Sequence, residues 1–377
     1  MFFSQINTMP DSSPSGKVLL LSVGYGKGHH SAAEALAECY GRAGWETMLV
    51  DVCERAHPLW FRLTQRFYAC CVRFLPWLWR VTYDQTDTAD WSRLVKGPLL
   101  KHVLHCLLEL LQSYKPDLVV CTYPLFAYML DVLRERRLYR VPYAVVVTDA
   151  REISRPWMVS AAPLFIVPDS GSRRQVVNQY ALAEERVVAA GFPVKACFRP
   201  AEAMPAPTPQ NLSILYGAYR QTRGVEMDIR ALLGAYPQMR LTVIAGHRAS
   251  VLKRVFAVEE KTGNLQILQD TDQMAELMSK SHFYIGKAGA ATMFECYACH
   301  LPVLINYTLP GQEQGNLELL LDEGCGCHVE STGHLITTLQ RLLEDEAREW
   351  CRIREAMVRA SRISAAEKVA AAITNIL

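Results

Sequence analysis

No stretch of this 377-residue chain holds the roughly 18 uninterrupted apolar residues that cross a bilayer, so no spanning helix is expected. The opening, Met1 to Lys17, lacks both a basic n-region and an apolar h-region, and no secretory leader is expected. Charge of one sign is lacking too: 40 Lys and Arg stand against 38 Asp and Glu, for a net +2. That excludes a global pull toward nucleic acid, and any electrostatic attraction must be local. The chain also has no GxGxxG and no Gly-Lys-Ser/Thr P-loop, which disfavours binding of a dinucleotide or ATP.

Twelve cysteines are present but scattered, and several, such as Cys106 and Cys121, sit inside apolar runs. They read as small buried hydrophobes in a reducing compartment, which makes the body of the protein cytoplasmic.

The length exceeds what one hydrophobic core usually serves, so two domains are expected. Short β-branched runs alternate with helical patterns, the signature of parallel sheets built from βα units. The first half has Lys17–Val23, Thr47–Val52, Asp117–Thr122, Tyr143–Thr148 and Leu164–Val167 as strands. The second half has Leu212–Tyr216, Leu241–Ala245, Leu265–Leu268, His282–Ile285 and Val303–Asn306. Between them, residues 199–210 carry four prolines, which suit neither a central strand nor a helix interior, and read as a linker. The expected division is 1–198, with a disordered start over 1–15, then the linker 199–210, then 211–377. The fold class is α/β: two doubly wound Rossmann-like domains facing a cleft, where ligands of such sheets bind.

The first strand runs into Gly24-Tyr-Gly-Lys-Gly-His29-His30. Glycines let the backbone turn tightly, and a helix start offers free N–H groups. A histidine facing the cleft here suits a general base acting on a hydroxyl, because imidazole titrates near neutrality. The plainer reading is that His29 and His30 cap the helix or face solvent. In the second half, Gly286, Lys287, Ala288 and Gly289 form a small-residue turn that opens a helix carrying Thr292 and Glu295. Backbone donors at such a turn accept phosphate, and a carboxylate on the helix can accept ribose hydroxyls. The loop after the next strand, with Gln312, Glu313 and Asn316, suits sugar hydroxyls.

From Arg55 to Tyr83 there is no acidic residue. Trp60, Phe67, Trp77 and Trp79 interleave there with Arg62, Arg66, Arg73 and Arg80. Aromatic rings and arginines favour the headgroup zone of an anionic bilayer, so the segment reads as an interfacial element. Core packing with snorkelling arginines and stacking on single-stranded nucleic acid are the weaker alternatives. Three patterns are set aside. Cys296-Tyr-Ala-Cys299-His300 matches a haem-attachment pattern by chance, and Cys325-Gly-Cys327-His328 lacks the zinc-knuckle spacing. Asp270-Thr-Asp272 matches the DxD metal motif, but reads as the cap of a helix over Gln273–Ser279. No metal and no cofactor are expected.

Taken with Tyr83-Asp-Gln-Thr-Asp87, Lys115-Pro-Asp117, Val147-Thr-Asp149 and Gly191-Phe-Pro-Val194, these motifs are similar to one family over nearly the whole chain. The sequence resembles the monogalactosyldiacylglycerol synthases and processive diacylglycerol glucosyltransferases, relatives of the lipid II N-acetylglucosaminyltransferase. The resemblance implies the GT-B fold and inverting, metal-independent transfer of a hexose from a UDP-sugar to a membrane lipid such as diacylglycerol. It implies His29 as catalytic base and Glu295 on the ribose; Asp149, at a strand end on the same cleft rim, is the next candidate for the base. Gln312 and Glu313 would hold the donor sugar, with Asn316 closing that motif. It also implies a final helix crossing back to the first domain and peripheral attachment to the inner face of the membrane. The chain departs from the family pattern after Thr148-Asp149, where no histidine precedes Trp157. A sugar-nucleotide epimerase or hydrolase of the same architecture, and a silent UDP-sugar-binding protein, are the alternative functions.

Overall fold

A computed structural model describes residues 16–24, 27–74, 97–158, 160–309, 313–360 and 365–377. Gln312, Trp77, Trp79, Arg80, the start over 1–15 and the motif at residues 83–87 lie outside the described residues, as does the side chain of Arg73.

Two six-stranded, wholly parallel sheets organise the described chain. The first runs β2-β1-β3-β4-β5-β6 and the second β12-β11-β10-β7-β8-β9. In the first sheet, β1 is Lys17–Leu21, β2 Glu46–Val50, β3 Leu118–Cys121, β4 Tyr143–Val146, β5 Leu164–Val167 and β6 Val187–Ala189. In the second, β7 is Ser213–Gly217, β8 Arg240–Ile244, β9 Leu265–Leu268, β10 Phe283–Lys287, β11 Val303–Tyr307 and β12 Gly326–His328. All ten strands expected from the β-branched runs are present, shifted by one or two residues at most ends. The edge strands β6 and β12 are additional.

Alternation along β1 shows why both faces must be covered. Leu19 and Leu21 enter one buried cluster with helices Pro98–Tyr114 and Pro124–Glu135. Val18 and Leu20 enter another, with Ala33 and Leu36 of helix Lys27–Arg42 and with Val369 and Ile373 of the last helix, Ala365–Thr374. A strand apolar on every residue after Lys17, as β1 is, suits a sheet with two covered faces. The last helix thus packs on the first sheet, where Tyr40 Oη donates to the Ala370 carbonyl at 3.2 Å and Arg42 pairs with Glu367 at 3.1 Å.

In each sheet the order of connection reverses once. β1 pairs with β2 on one side and with β3 on the other, and β7 lies between β8 and β10. Loops diverge above such a switch point and leave a crevice at the carboxyl ends of the strands. The two switch points bring together the segments after β1 and β3, and those after β7 and β10.

Candidate active site

His29 lies in the first turn of helix Lys27–Arg42, above the switch point of the first sheet. Its ring stands edge-on to Tyr123, which follows β3, with centroids 5.2 Å apart, and it lies 5.8 Å from Trp157. Its Nδ1 is 2.7 Å from Thr148 Oγ1, just past β4. Packing against these rings disfavours the charged imidazolium and lowers the pKa to about 4, against a weaker upward pull from the Thr122 backbone. The cause is burial rather than the helix N-terminus. His30 points elsewhere, toward Glu34 one turn on, at 3.5 Å and in solvent.

Asp149 is buried, and Trp157 Nε1–H donates to its Oδ2 at 2.8 Å. Burial pushes its pKa up to about 6, opposed by the tryptophan hydrogen bond and reinforced by the Glu313 charge. The tryptophan that follows the Thr-Asp dipeptide in sequence therefore has a task, which is to orient that carboxyl.

The loop before His29 is held from two sides. Asp51, capping a short helix with Oδ1, accepts the Gly24 N–H on Oδ2 at 2.9 Å, and Gln65 Nε2 donates to the Gly24 carbonyl at 2.9 Å. Gln65 belongs to the aromatic helix Pro58–Phe74. That helix buries Phe61 and Cys71 while Leu59 (80 %), Trp60 (55 %), Leu63 (58 %) and Phe67 (65 %) stand exposed, beside the exposed Arg62 and Arg66. Core packing therefore holds for one face and not for the other.

At the second switch point, Lys287 Nζ lies 2.5 Å from Glu313 Oε1 and 5.3 Å from the centre of the Tyr219 ring. Glu313 is buried, and its Oε2 accepts the Leu309 N–H at 3.0 Å. A Cβ on Gly286 would strike Tyr284 Oη, and one on Gly289 would press on Lys287 Nζ at 3.1 Å. Packing against the Tyr284 ring therefore favours a glycine at 286, whereas at Gly289 the neighbour is the flexible end of Lys287. Ala288 is fully buried. Gly289 opens helix Ala290–Ala298 with no side-chain cap, which leaves the first-turn N–H groups, Thr292 among them, directed toward the crevice. Glu295 accepts from Ser31 Oγ at 3.3 Å across the crevice. Tyr219, exposed above Gly217, was not foreseen from sequence. An aromatic residue directly after a strand end at a switch point is the signal that would have found it. Asn316 is buried between the two halves, its side chain bonded on both sides.

Two of the set-aside patterns gain a physical reading. Cys325 is buried beside β12, where Gly326 faces the Val303 carbonyl at the sheet edge, and Cys296 and Cys299 are buried on the Glu295 helix. The third is corrected. The short helix is Met274–Ser279, and its N-cap is Gln273 rather than an aspartate. Thr271 Oγ1 accepts the Gln273 N–H at 3.0 Å and closes the turn.

Comparison with known proteins agrees with this architecture. Residues 29–194 match the family described as monogalactosyldiacylglycerol (MGDG) synthase, and residues 224–375 match the glycosyltransferase family 28 C-terminal domain. A processive diacylglycerol beta-glucosyltransferase of Bacillus cytotoxicus is 23% identical, over 90% of this chain and 89% of that protein. Among solved structures, MurG of Acinetobacter baumannii superposes with a TM-score of 0.59 at 15% identity, covering 96% of this chain and 99% of that one. UDP-GlcNAc 2-epimerase from Neisseria meningitidis, bound to UDP-GlcNAc, gives 0.60 at 14% identity, covering 95% and 100%. These likenesses establish the fold as GT-B. The chain thus carries, in tandem, a first half that matches the monogalactosyldiacylglycerol synthase family and a second half that matches the glycosyltransferase family 28 C-terminal domain.

Proposed function

We propose that the protein transfers a hexose from a UDP-sugar to a membrane lipid such as diacylglycerol, with inversion and without a metal. The observation that carries this reading is the meeting of the two switch points: His29 and Ser31 share one helix, and Ser31 reaches Glu295 beside the Lys287–Glu313 turn. Donor diphosphate would lie on the N-terminus of the Glu295 helix, with its charge met by Lys287 and the helix dipole, and Glu295 would take the ribose. Glu313 and Gln312 would hold the sugar.

His29 is the base. With Nδ1–H donated to Thr148 Oγ1, Nε2 keeps its lone pair for the proton of an attacking hydroxyl. The proton leaves as the new glycosidic bond forms and the bond to UDP breaks on the opposite face. Asp149 is the alternative base. The exposed face of the aromatic helix would lie in the headgroup zone of an anionic membrane, on its cytoplasmic side, and present the crevice to the lipid.

The test is incubation with labelled UDP-glucose or UDP-galactose and vesicles containing diacylglycerol. Label should enter the lipid phase only when vesicles are present. UDP release that ignores the vesicles would favour the epimerase or hydrolase reading. Binding with neither outcome would leave a silent UDP-sugar binder.

A further inference from the structure

One side chain is committed to both halves of the crevice at once. Asn316 Oδ1 accepts the Ala150 N–H at 3.2 Å, and Asn316 Nδ2 donates to the Ala288 carbonyl at 2.9 Å. Only 2 % of Asn316 is exposed, and each half of its carboxamide is engaged by backbone on one side of the crevice. Ala288 sits inside the Lys287–Gly289 turn. Ala150 sits two residues past Thr148, the partner of His29.

The neighbouring residue makes the contact closer still. A Cβ on Gly315 would collide with the Ala150 carbonyl and lie 2.5 Å from the Glu152 amide. Both are backbone atoms, which cannot rotate aside. The far end of helix Gln314–Asp322 touches the same loop, with Asp322 Oδ2 3.6 Å from Arg151 Nη1. Arg151 itself has φ +62°, a conformation a non-glycine residue keeps only where its surroundings hold it. Ser172 Oγ, accepting the Arg151 N–H at 2.9 Å, and Asp169, 3.2 Å from Arg151 Nε, do so. The loop is thus held from both halves, by Asn316 on one side and by Ser172 and Asp169 on the other.

We propose that Asn316 is a positioning residue rather than a donor ligand. Its carboxamide, seated through Gly315, ties the Lys287–Gly289 turn to the Thr148–Ala150 segment that orients His29, so that occupancy of the turn is felt at the base. This rests on the transferase reading above, and it adds a coupling that the reading does not require.

The experiment uses UDP alone on the full chain carrying ring-labelled histidine. In the unaltered protein, saturating UDP shifts the His29 imidazole resonance. In Asn316→Ala the shift is lost, UDP affinity changes by no more than about threefold, and the Ala150 amide exchanges roughly tenfold faster or more, the scale of one buried hydrogen bond. Asn316→Asp retains the acceptor for Ala150 but sets a carboxylate against the Ala288 carbonyl. It should keep Ala150 protected and still lose the shift, and it serves if the alanine variant fails to fold. In the lipid assay, kcat should fall roughly tenfold or more while KM for the UDP-sugar holds.

A His29 shift that persists in either folded variant overturns the proposal. So does a loss of UDP affinity beyond about tenfold, which would make Asn316 a donor ligand after all, and so does an unaltered protein whose His29 ignores UDP. Because this readout contains no lipid, the coupling can fail while glycolipid synthesis stands. Glycolipid synthesis can likewise fail while UDP still moves His29.

Discussion

The pair His29 and Asp149 poses a question that pH can answer, because burial acts on a base and an acid in opposite senses. Burial keeps His29 neutral down to about pH 4 and keeps Asp149 protonated up to about pH 6. If His29 takes the proton, kcat stays level from neutrality through pH 6 and declines only toward pH 4. An acid limb near 6 that vanishes in Asp149→Asn would move the role to Asp149. Stability follows the same shifts. The His29 contribution is complete above its unfolded value of 6.5 and is lost as pH falls toward 4, while the Asp149 contribution is complete below 3.8 and is lost as pH rises through 6. Chemical denaturation of His29→Ala should therefore fall less steeply than the unaltered protein between pH 6.5 and 4. Thr148 Oγ1 holds the His29 ring through Nδ1 at 2.7 Å, so Thr148→Val should lower kcat by roughly 10-fold or more, within the range assigned to general-base catalysis. Glu295→Ala should weaken UDP binding by roughly 1–3 kcal/mol. Ser31→Ala, which removes only the contact across the crevice, should leave calorimetric UDP affinity close to unchanged.

At the level of elements, the aromatic helix Pro58–Phe74 is the piece whose exposure is hardest to reconcile with water. Leu59, Trp60, Leu63 and Phe67 fall within an arc of about 100° on the helix, and all four are exposed. A patch of that kind on a surface helix marks an interaction site. Leu63→Glu and Phe67→Glu should each weaken co-sedimentation with anionic vesicles roughly tenfold or more, since burying one large apolar side chain is worth about 1.5–3 kcal/mol. Thermal stability should barely change, because neither side chain is in the core. Arg62→Gln with Arg66→Gln, or added salt, should weaken the same binding by screening. Vesicle binding that ignores all of these would assign the patch to another partner. Sequence reading located this helix by composition, since its acid-free run of arginine and aromatic residues is visible without a fold. It could not say which face points inward, because Phe61 and Phe67 are the same residue type and only packing separates them. The ten strands expected from β-branched runs were equally legible, and the interior ones, such as β3, β4 and β5, are buried along their whole length. Strands β6 and β12 were not. Each has three residues, and Gly326, Cys327 and His328 carry no strand propensity, so pairing with β11 alone makes them a strand.

Over the whole molecule, what escaped the sequence is the seam between the halves. Asn316 reads in sequence as the end of the donor motif, and nothing local reveals that Ala150 lies opposite it. Aromatic contact across the seam is equally silent in sequence: Phe192, after β6, stacks on Phe294 of the Glu295 helix with centroids 4.9 Å apart and planes 8° from parallel. The linker, too, is fastened down. His282 Nε2 bonds the Pro205 carbonyl at 3.1 Å, and Arg354 Nη1 donates to the Met204 carbonyl at 3.0 Å, so its path follows the second half. The chain then returns in its last helix, which completes the covering of the first sheet. Ile373 is fully buried in the cluster that holds Val18 and Leu20. Removing its side-chain carbons leaves a cavity that the surrounding β1 and helix Lys27–Arg42 cannot fill without moving His29's own helix. Ile373→Ala should therefore cost about 2–5 kcal/mol. Because the site is built on the sheet that the last helix covers, the loss should appear in the first half, far in sequence from the substitution. Amide exchange localises it: Val18–Leu21 should open sooner in Ile373→Ala, while Ser213–Gly217 of β7 keeps its protection. Faster exchange in β7, with β1 unaffected, would mean that the last helix stabilises the second half, and that the first sheet stands without it.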